Sequence, residues 1–285
     1  MPIRIYKPTS AGRRNASVNA HAEVTKSRPE RSLLVANQKS NGRNHHGKIT
    51  VRGRGGGVKQ MYRLIDWKRA DRDGVKAQVV GIEYDPNRSC HLALLKYTDG
   101  VKRYIIAPYG LKAGDTVECS GTAAVEPSVG NSMRLRDIPT GLDVHCIEMQ
   151  PGGGGKICRS AGTFARLLNK EGDYATLTMP SGETRKVHMD CRATIGQTGN
   201  PDHSQRKLGK AGLNRHLGFR PITRGMAKSH NAHPLGGGSG RSKGNRPPVG
   251  PSGVPAKGGD TRNPKKHSTK LIIRRRVSKR YGQKK

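Results

Sequence analysis

Charge is distributed so unevenly along this chain that much of it cannot fold around a core of its own. Residues 201–285 hold 22 Lys and Arg against two Asp, and residues 1–60 hold 13 against two Glu. Residues 61–200 are near balance, with 19 basic and 16 acidic residues, and carry 8 of the 11 aromatics. A segment with few apolar groups and high net charge gains too little from burial to offset the entropy of ordering its backbone. The prediction is a globular centre with a basic arm on either side. The formal net charge of +34 calls for a polyanion, either nucleic acid or an anionic membrane surface. No stretch approaches the ~20 apolar residues needed to span a bilayer, and no apolar signal segment follows the start. The arms lack an amphipathic apolar face, which argues against a membrane partner.

The centre reads as β. Met61–Ile65, Ala77–Tyr84 and His91–Thr98 are short runs rich in Val, Ile, Leu and Tyr and bounded by turns. Asp99-Gly100 predicts a tight hairpin of type I′, whose two central residues need positive φ. Asp85-Pro86-Asn87-Arg88 marks another turn, and Pro180-Ser181-Gly182-Glu183 a second hairpin. In Leu142–Met149 the alternation predicts Leu142, Val144 and Cys146 on one face, with Asp143, His145 and Ile147 on the other. Thr163–Leu168 fits either a strand or a helical turn, and helix signal is weak throughout. The expected organisation is a basic extension over 1–60, β-barrels over 61–125 and 126–200, and a Gly/Pro-rich basic extension over 201–285.

Candidate chemistry lies in three places. Gly55-Gly56-Gly57-Val58-Lys59 and Gly152-Gly153-Gly154-Gly155-Lys156 are glycine runs whose amides could cradle a phosphate. Neither matches the nucleotide-triphosphate loop, because Lys59 precedes Gln60 and Lys156 precedes Ile157. Arg88 and Arg159 sit in turns, where a rigidly held guanidinium can bond phosphate in two-pronged fashion, although Asp85 is a local alternative partner for Arg88. His233 opens a His-Pro-Leu-Gly-Gly-Gly loop with no neighbouring nucleophile or orienting acid, so a general-base role has little support. Six aromatics, Tyr62, Trp67, Tyr84, Tyr97, Tyr104 and Tyr109, fit core packing or, where exposed, base stacking. The five Cys show no Cys-x-x-Cys spacing, so a zinc ribbon is disfavoured and buried reduced thiols are expected.

In order along the chain, several segments resemble a known family. These are Lys7-Pro8-Thr9-Ser10-Ala11-Gly12-Arg13-Arg14, Gly42-Arg43-Asn44, Glu83-Tyr84-Asp85-Pro86-Asn87-Arg88-Ser89, Gly110-Leu111-Lys112-Ala113-Gly114-Asp115, Arg159-Ser160-Ala161-Gly162-Thr163, Asp190-Cys191-Arg192-Ala193-Thr194, Gly209-Lys210-Ala211-Gly212 and Arg274-Arg275-Arg276. They resemble the universal large-subunit ribosomal protein number two, in its bacterial form. The resemblance implies a mainly β fold, an OB-like barrel followed by an SH3-like barrel, with long irregular basic extensions at both termini. It also implies binding to 23S-type rRNA, contact with other large-subunit proteins and with the small subunit across an intersubunit bridge, and tRNA nearby. The expected site is cytoplasmic ribosomes of bacterial type, with an organellar ribosome as the alternative source. No cofactor is expected beyond Mg held through the rRNA, no protein metal site and no enzymatic activity. The rRNA-binding residues expected are Arg54, Lys59, Arg88, Lys156, Arg159, Arg241, Arg274, Arg275 and Arg276. The family's His-Pro-His-Gly-Gly-Gly loop, toward the peptidyl transferase centre, falls on His233–Gly238, with Leu235 in place of the second His and Ala232 in place of the preceding Asp. Without the resemblance, a general nucleic-acid chaperone or DNA-binding protein would fit the charge equally.

Overall fold

The computed structural model describes residues 3–121, 125–240, 246–257 and 262–277. The chain divides into two compact units, each discontinuous in sequence. One comprises residues 1–38, 59–211 and 270–285, the other residues 39–58 and 212–269.

Among the described residues the first unit holds two main antiparallel sheets and three two-stranded pairs, consistent with the OB-like and SH3-like expectation. A four-stranded sheet runs in the order Lys102–Ile106, Leu92–Tyr97, Ala77–Glu83, Thr116–Val117. Its strands are apolar on both faces, so both faces can be covered. On one side Ala77, Val79, Ala93, Leu95, Tyr97 and Ile105 pack together. On the other, Leu92, Leu94, Tyr104 and Ile106 meet Leu33, Ile65 and Trp67 from segments preceding the sheet.

The second sheet has seven strands, in the order Ile272–Arg274, Thr184–His188, Tyr174–Thr178, Ala165–Glu171, Asp143–His145, Arg192–Ile195, Ser132–Arg134. It closes over Met133, Leu135, Ile138, Val144, Leu167, Leu177, Val187 and Ile195. Thr163–Leu168 thus resolves as strand from Ala165 onward. The C-terminal extension contributes an edge strand that sequence periodicity did not indicate: Arg274 lies opposite Thr184, and the Lys186 N–H donates to the Leu271 carbonyl at 2.7 Å.

Two local expectations change. Both predicted hairpins form, but the one at Asp99-Gly100 does not use the expected type I′ turn. Gly100 N–H donates to Tyr97 O at 2.9 Å, and Tyr97 N–H to Val101 O at 2.9 Å. Gly100 has φ +83° while Asp99 is not left-handed. This is a three-residue loop, a type I turn closed by one left-handed glycine, and Gly182 (φ +81°) repeats it between Met179 and Glu183. The alternation predicted through Leu142–Met149 also breaks. Cys146 takes φ +50°, which ends the Asp143–His145 strand and redirects Ile147–Glu148 to pair with Gly155–Ile157.

The other unit has little regular structure. Gly55 N–H donates to Gly218 O, Val58 N–H to His216 O and Arg220 N–H to Gly53 O, so residues 53–58 lie along residues 216–220. Gly57 (φ +81°) allows the approach, since a Cβ there would stand 2.8 Å from His216 O. The one α-helix among the described residues, Ala211–His216, leads into this pairing.

Candidate nucleic-acid interface

A buried ionic cluster anchors the Asp85–Arg88 turn. Asp85 and Glu83 are 0% and 1% exposed, and Arg63 bridges them, with Nε 3.7 Å from Glu83 and Nη1 3.6 Å from Asp85. Tyr104 Oη donates to Glu83 at 2.7 Å, and Lys26 Nζ lies 3.4 Å from it. Two carboxylates that lost water without partners would be costly, and these cations and the phenol hydroxyl supply the compensating contacts. Asp85 also accepts the Asn87 N–H at 2.9 Å and the Arg88 Nε–H at 2.5 Å. Arg88 is therefore held by the local acid, and that bond raises its pKa against the opposing effect of burial. Arg63 escaped the sequence reading, and Glu83 and Tyr104 were singled out there without this contact, because nothing in their spacing marks a meeting between strands.

Arg88 and Arg159 meet at one ring. The Arg159 guanidinium carbon lies 4.5 Å from the Trp67 centroid and that of Arg88 5.6 Å, with Arg88 also 5.6 Å from the Tyr62 ring. Arg159 is exposed, and its Nη1 donates to Gly155 O at 3.4 Å. Trp67 is half-buried, while Tyr97 and Tyr104 belong to the core and Tyr84 and Tyr109 are exposed.

The glycine run at 152–155 does not offer its amides to a phosphate. Gly152 N–H and Gly154 N–H donate to the Glu148 carboxylate at 3.2 and 2.8 Å, and Arg192 N–H joins them at 3.0 Å. Glu148 is 2% exposed, so the anion nest is filled from inside. The outward groups of this loop are the exposed side chains of Lys156 and Arg159. Gly55–Gly57 likewise spends its conformational freedom on chain packing.

In the unit of residues 39–58 and 212–269 the electrostatics differ. It has sixteen Lys and Arg and one acidic residue, Asp260, which lies outside the described residues. All the ion pairs among the described residues fall in the other unit. Arg43, Arg52, Arg54 and Arg220 line an open hollow of about 490 Å³, with Arg54 4.2 Å over the Phe219 ring. Lys59 and Arg274–Arg276 are exposed, and Arg241 lies outside the described residues.

Comparison with known proteins gives two family matches in chain order. The model described as Ribosomal Proteins L2, RNA binding N-terminal domain, matches residues 30–119, and that of Ribosomal Proteins L2, C-terminal domain, matches residues 128–253. The large ribosomal subunit protein uL2 of Rhodopirellula baltica is 57% identical over 284 residues, 99% of this chain and 98% of that protein. The chain belongs to the ribosomal L2 family. That is a family of ribosomal proteins rather than enzymes.

The loop at His233 in this L2-family chain is built as structure. His233 is 7% exposed, and its Nδ1 accepts the Leu235 N–H at 3.1 Å, which leaves the proton of a neutral ring on Nε2. Its backbone N–H donates to Ser229 O and its carbonyl accepts the Gly236 N–H. A side chain at Gly225 would collide with the imidazole. No cluster of three or more metal-ligating side chains occurs among the described residues. The five thiols are unpaired, and burial pushes Cys90 and Cys146 up to about 11 and Cys158 and Cys191 up to about 12, so these four stay protonated near neutral pH.

Proposed function

We propose that the chain is a structural, 23S-type rRNA-binding component of the large ribosomal subunit, acting in cytoplasmic ribosomes of bacterial type. The observation that carries this reading is a whole unit of cations with no described carboxylate. Such a unit repels itself until an external polyanion neutralises it, and each phosphate paired releases condensed counterion. The two barrels, 61–125 and 126–200, hold Arg88, Arg159 and Lys156 in fixed positions for shape readout of folded RNA. The extensions, 1–60 and 201–285, supply Arg54, Lys59, Arg241 and Arg274–Arg276 along the backbone. In this role the protein supports subunit assembly, association with the small subunit and neighbouring large-subunit proteins, and the geometry around tRNA and the peptidyl transferase region. Any Mg in the interface would be held through the rRNA.

The test is filter binding of the full chain to a 23S-type rRNA fragment across a salt series, with duplex DNA as competitor. Affinity should fall steeply with salt, and rRNA should win at equal salt. Equal competition by DNA would instead favour a general nucleic-acid chaperone. Arg88→Ala and Arg159→Ala should each weaken binding by about tenfold, as lost charged hydrogen bonds do. Undiminished affinity in both variants would remove these two residues from the site.

A further inference from the structure

Trp67 is the only tryptophan in the chain, and the two guanidiniums at its ring come from segments 71 residues apart. A guanidinium stacked on an aromatic face keeps its N–H edge free, and that edge is what bonds phosphate. The stack therefore costs neither arginine its donors, whereas it occupies the ring a nucleobase would need. The two guanidinium carbons can be no farther apart than the sum of their distances to the shared centroid, 4.5 and 5.6 Å. Two unit charges within that distance repel each other unless an anion joins them, and of the two only Arg88 has an ion pair among the described residues, with Asp85.

Trp67 is itself held firmly. Its carbonyl accepts the Gly155 N–H at 2.8 Å. Gly154, with φ +71°, leaves room for it, since a Cβ there would lie 3.2 Å from Trp67 Cβ. Asp66, the preceding residue, takes the N–H groups of Lys68 and Arg69 at 3.1 and 2.8 Å, which fixes the turn that presents the ring.

We propose that Trp67 is a positioning residue that joins Arg88 and Arg159 into a single phosphate clamp for a sharply bent ribonucleotide backbone, and that it does not stack on a base. This rests on the rRNA-binding reading above and goes further, because that reading needs only two separate contacts. Without the ring, both side chains regain rotamers that must be frozen again on binding.

The experiment uses the full chain and the same rRNA fragment. Trp67→Leu should weaken binding by about tenfold and lower the slope of log affinity against log salt by about one, the loss of one neutralised phosphate. Trp67→Phe, which keeps a ring, should stay within about threefold of the parent, a difference under 0.7 kcal/mol. In the Trp67→Leu background, Arg159→Ala should add less than about twofold, because contacts acting as a unit are not additive. A packing defect alone would lower stability without moving the salt slope. In the unsubstituted protein, rRNA should at least halve iodide quenching of Trp67 fluorescence, a readout that needs no variant.

An unmoved salt slope in Trp67→Leu, full additivity with Arg159→Ala, or unchanged quenching overturns the clamp while leaving rRNA binding intact. Full affinity in Arg88→Ala and Arg159→Ala overturns the clamp and the two-arginine site together. Should Trp67→Leu fail to fold, Trp67→Phe and the quenching measurement decide.

Discussion

Glu148→Ala should be among the most damaging single changes in the first unit. The carboxylate is 2% exposed and takes three backbone N–H groups, from Gly152, Gly154 and Arg192, at 2.8 to 3.2 Å. Alanine leaves all three donors without this acceptor. At ~1.5 kcal/mol for each bond to a charged group, the expected loss is about 4.5 kcal/mol. Glu148→Gln keeps one acceptor oxygen and should lose about half of that. For a unit of this size the alanine change corresponds to a fall of about 10 °C in Tm. Urea unfolding followed by Trp67 fluorescence reads the effect where it arises, because the Trp67 carbonyl bonds the Gly155 N–H of the same loop. Glu126→Ala, at an exposed side chain, serves as the control and should shift stability by no more than ~0.5 kcal/mol. Equal midpoints for Glu148→Ala and the control would refute the filled nest and return the glycine amides to an external anion.

Two further outcomes follow from buried histidines. His145 is 1% exposed, its Nδ1–H donates to the Gly196 carbonyl at 2.8 Å, and burial brings its pKa down from 6.5 to about 4. The unfolded chain then binds a proton that the fold refuses, so stability is full above pH 6.5 and falls by about 3 kcal/mol as pH drops to 4. Urea midpoints at pH 7, 5.5 and 4 measure this, and His145→Gln should flatten the dependence. A midpoint independent of pH in the parent protein would contradict the buried neutral ring. His233→Ala removes the acceptor of the Leu235 N–H, so ribosomes assembled with it should keep most of their single-turnover peptide-bond rate. A collapse of that rate in fully assembled particles would make His233 a participant in the chemistry.

What the sequence made legible was set by local rules. The hairpin at Asp99-Gly100 and the turn at Asp85–Arg88 were readable because glycine and Asx chemistry act within four residues. Arg88 and Arg159 stood out for the same reason, as arginines in turns. The turn type was not readable, since a single left-handed glycine and a pair of them leave the same dipeptide signature. Cys146 was invisible as a strand break because non-glycine residues adopt positive φ only under tertiary pressure. The Trp67 stack and the Glu148 nest join residues far apart in sequence, and no periodicity encodes such meetings. The glycine run at 152–155 was read as amides free to cradle a phosphate, but Gly152 and Gly154 bond the chain's own Glu148.

The pairing of Ile272–Arg274 with Thr184–His188 has a bearing on biosynthesis. During translation the 184–188 edge is finished long before its neighbour exists, and everything from 189 to 271 must emerge first. For that interval a bare row of N–H and C=O groups faces solvent, able to recruit any extended peptide. Completion of the sheet is thereby tied to synthesis of residues 272–274, so a nascent or truncated product stopping before residue 272 would remain open-edged and be a natural client for chaperones or proteolysis.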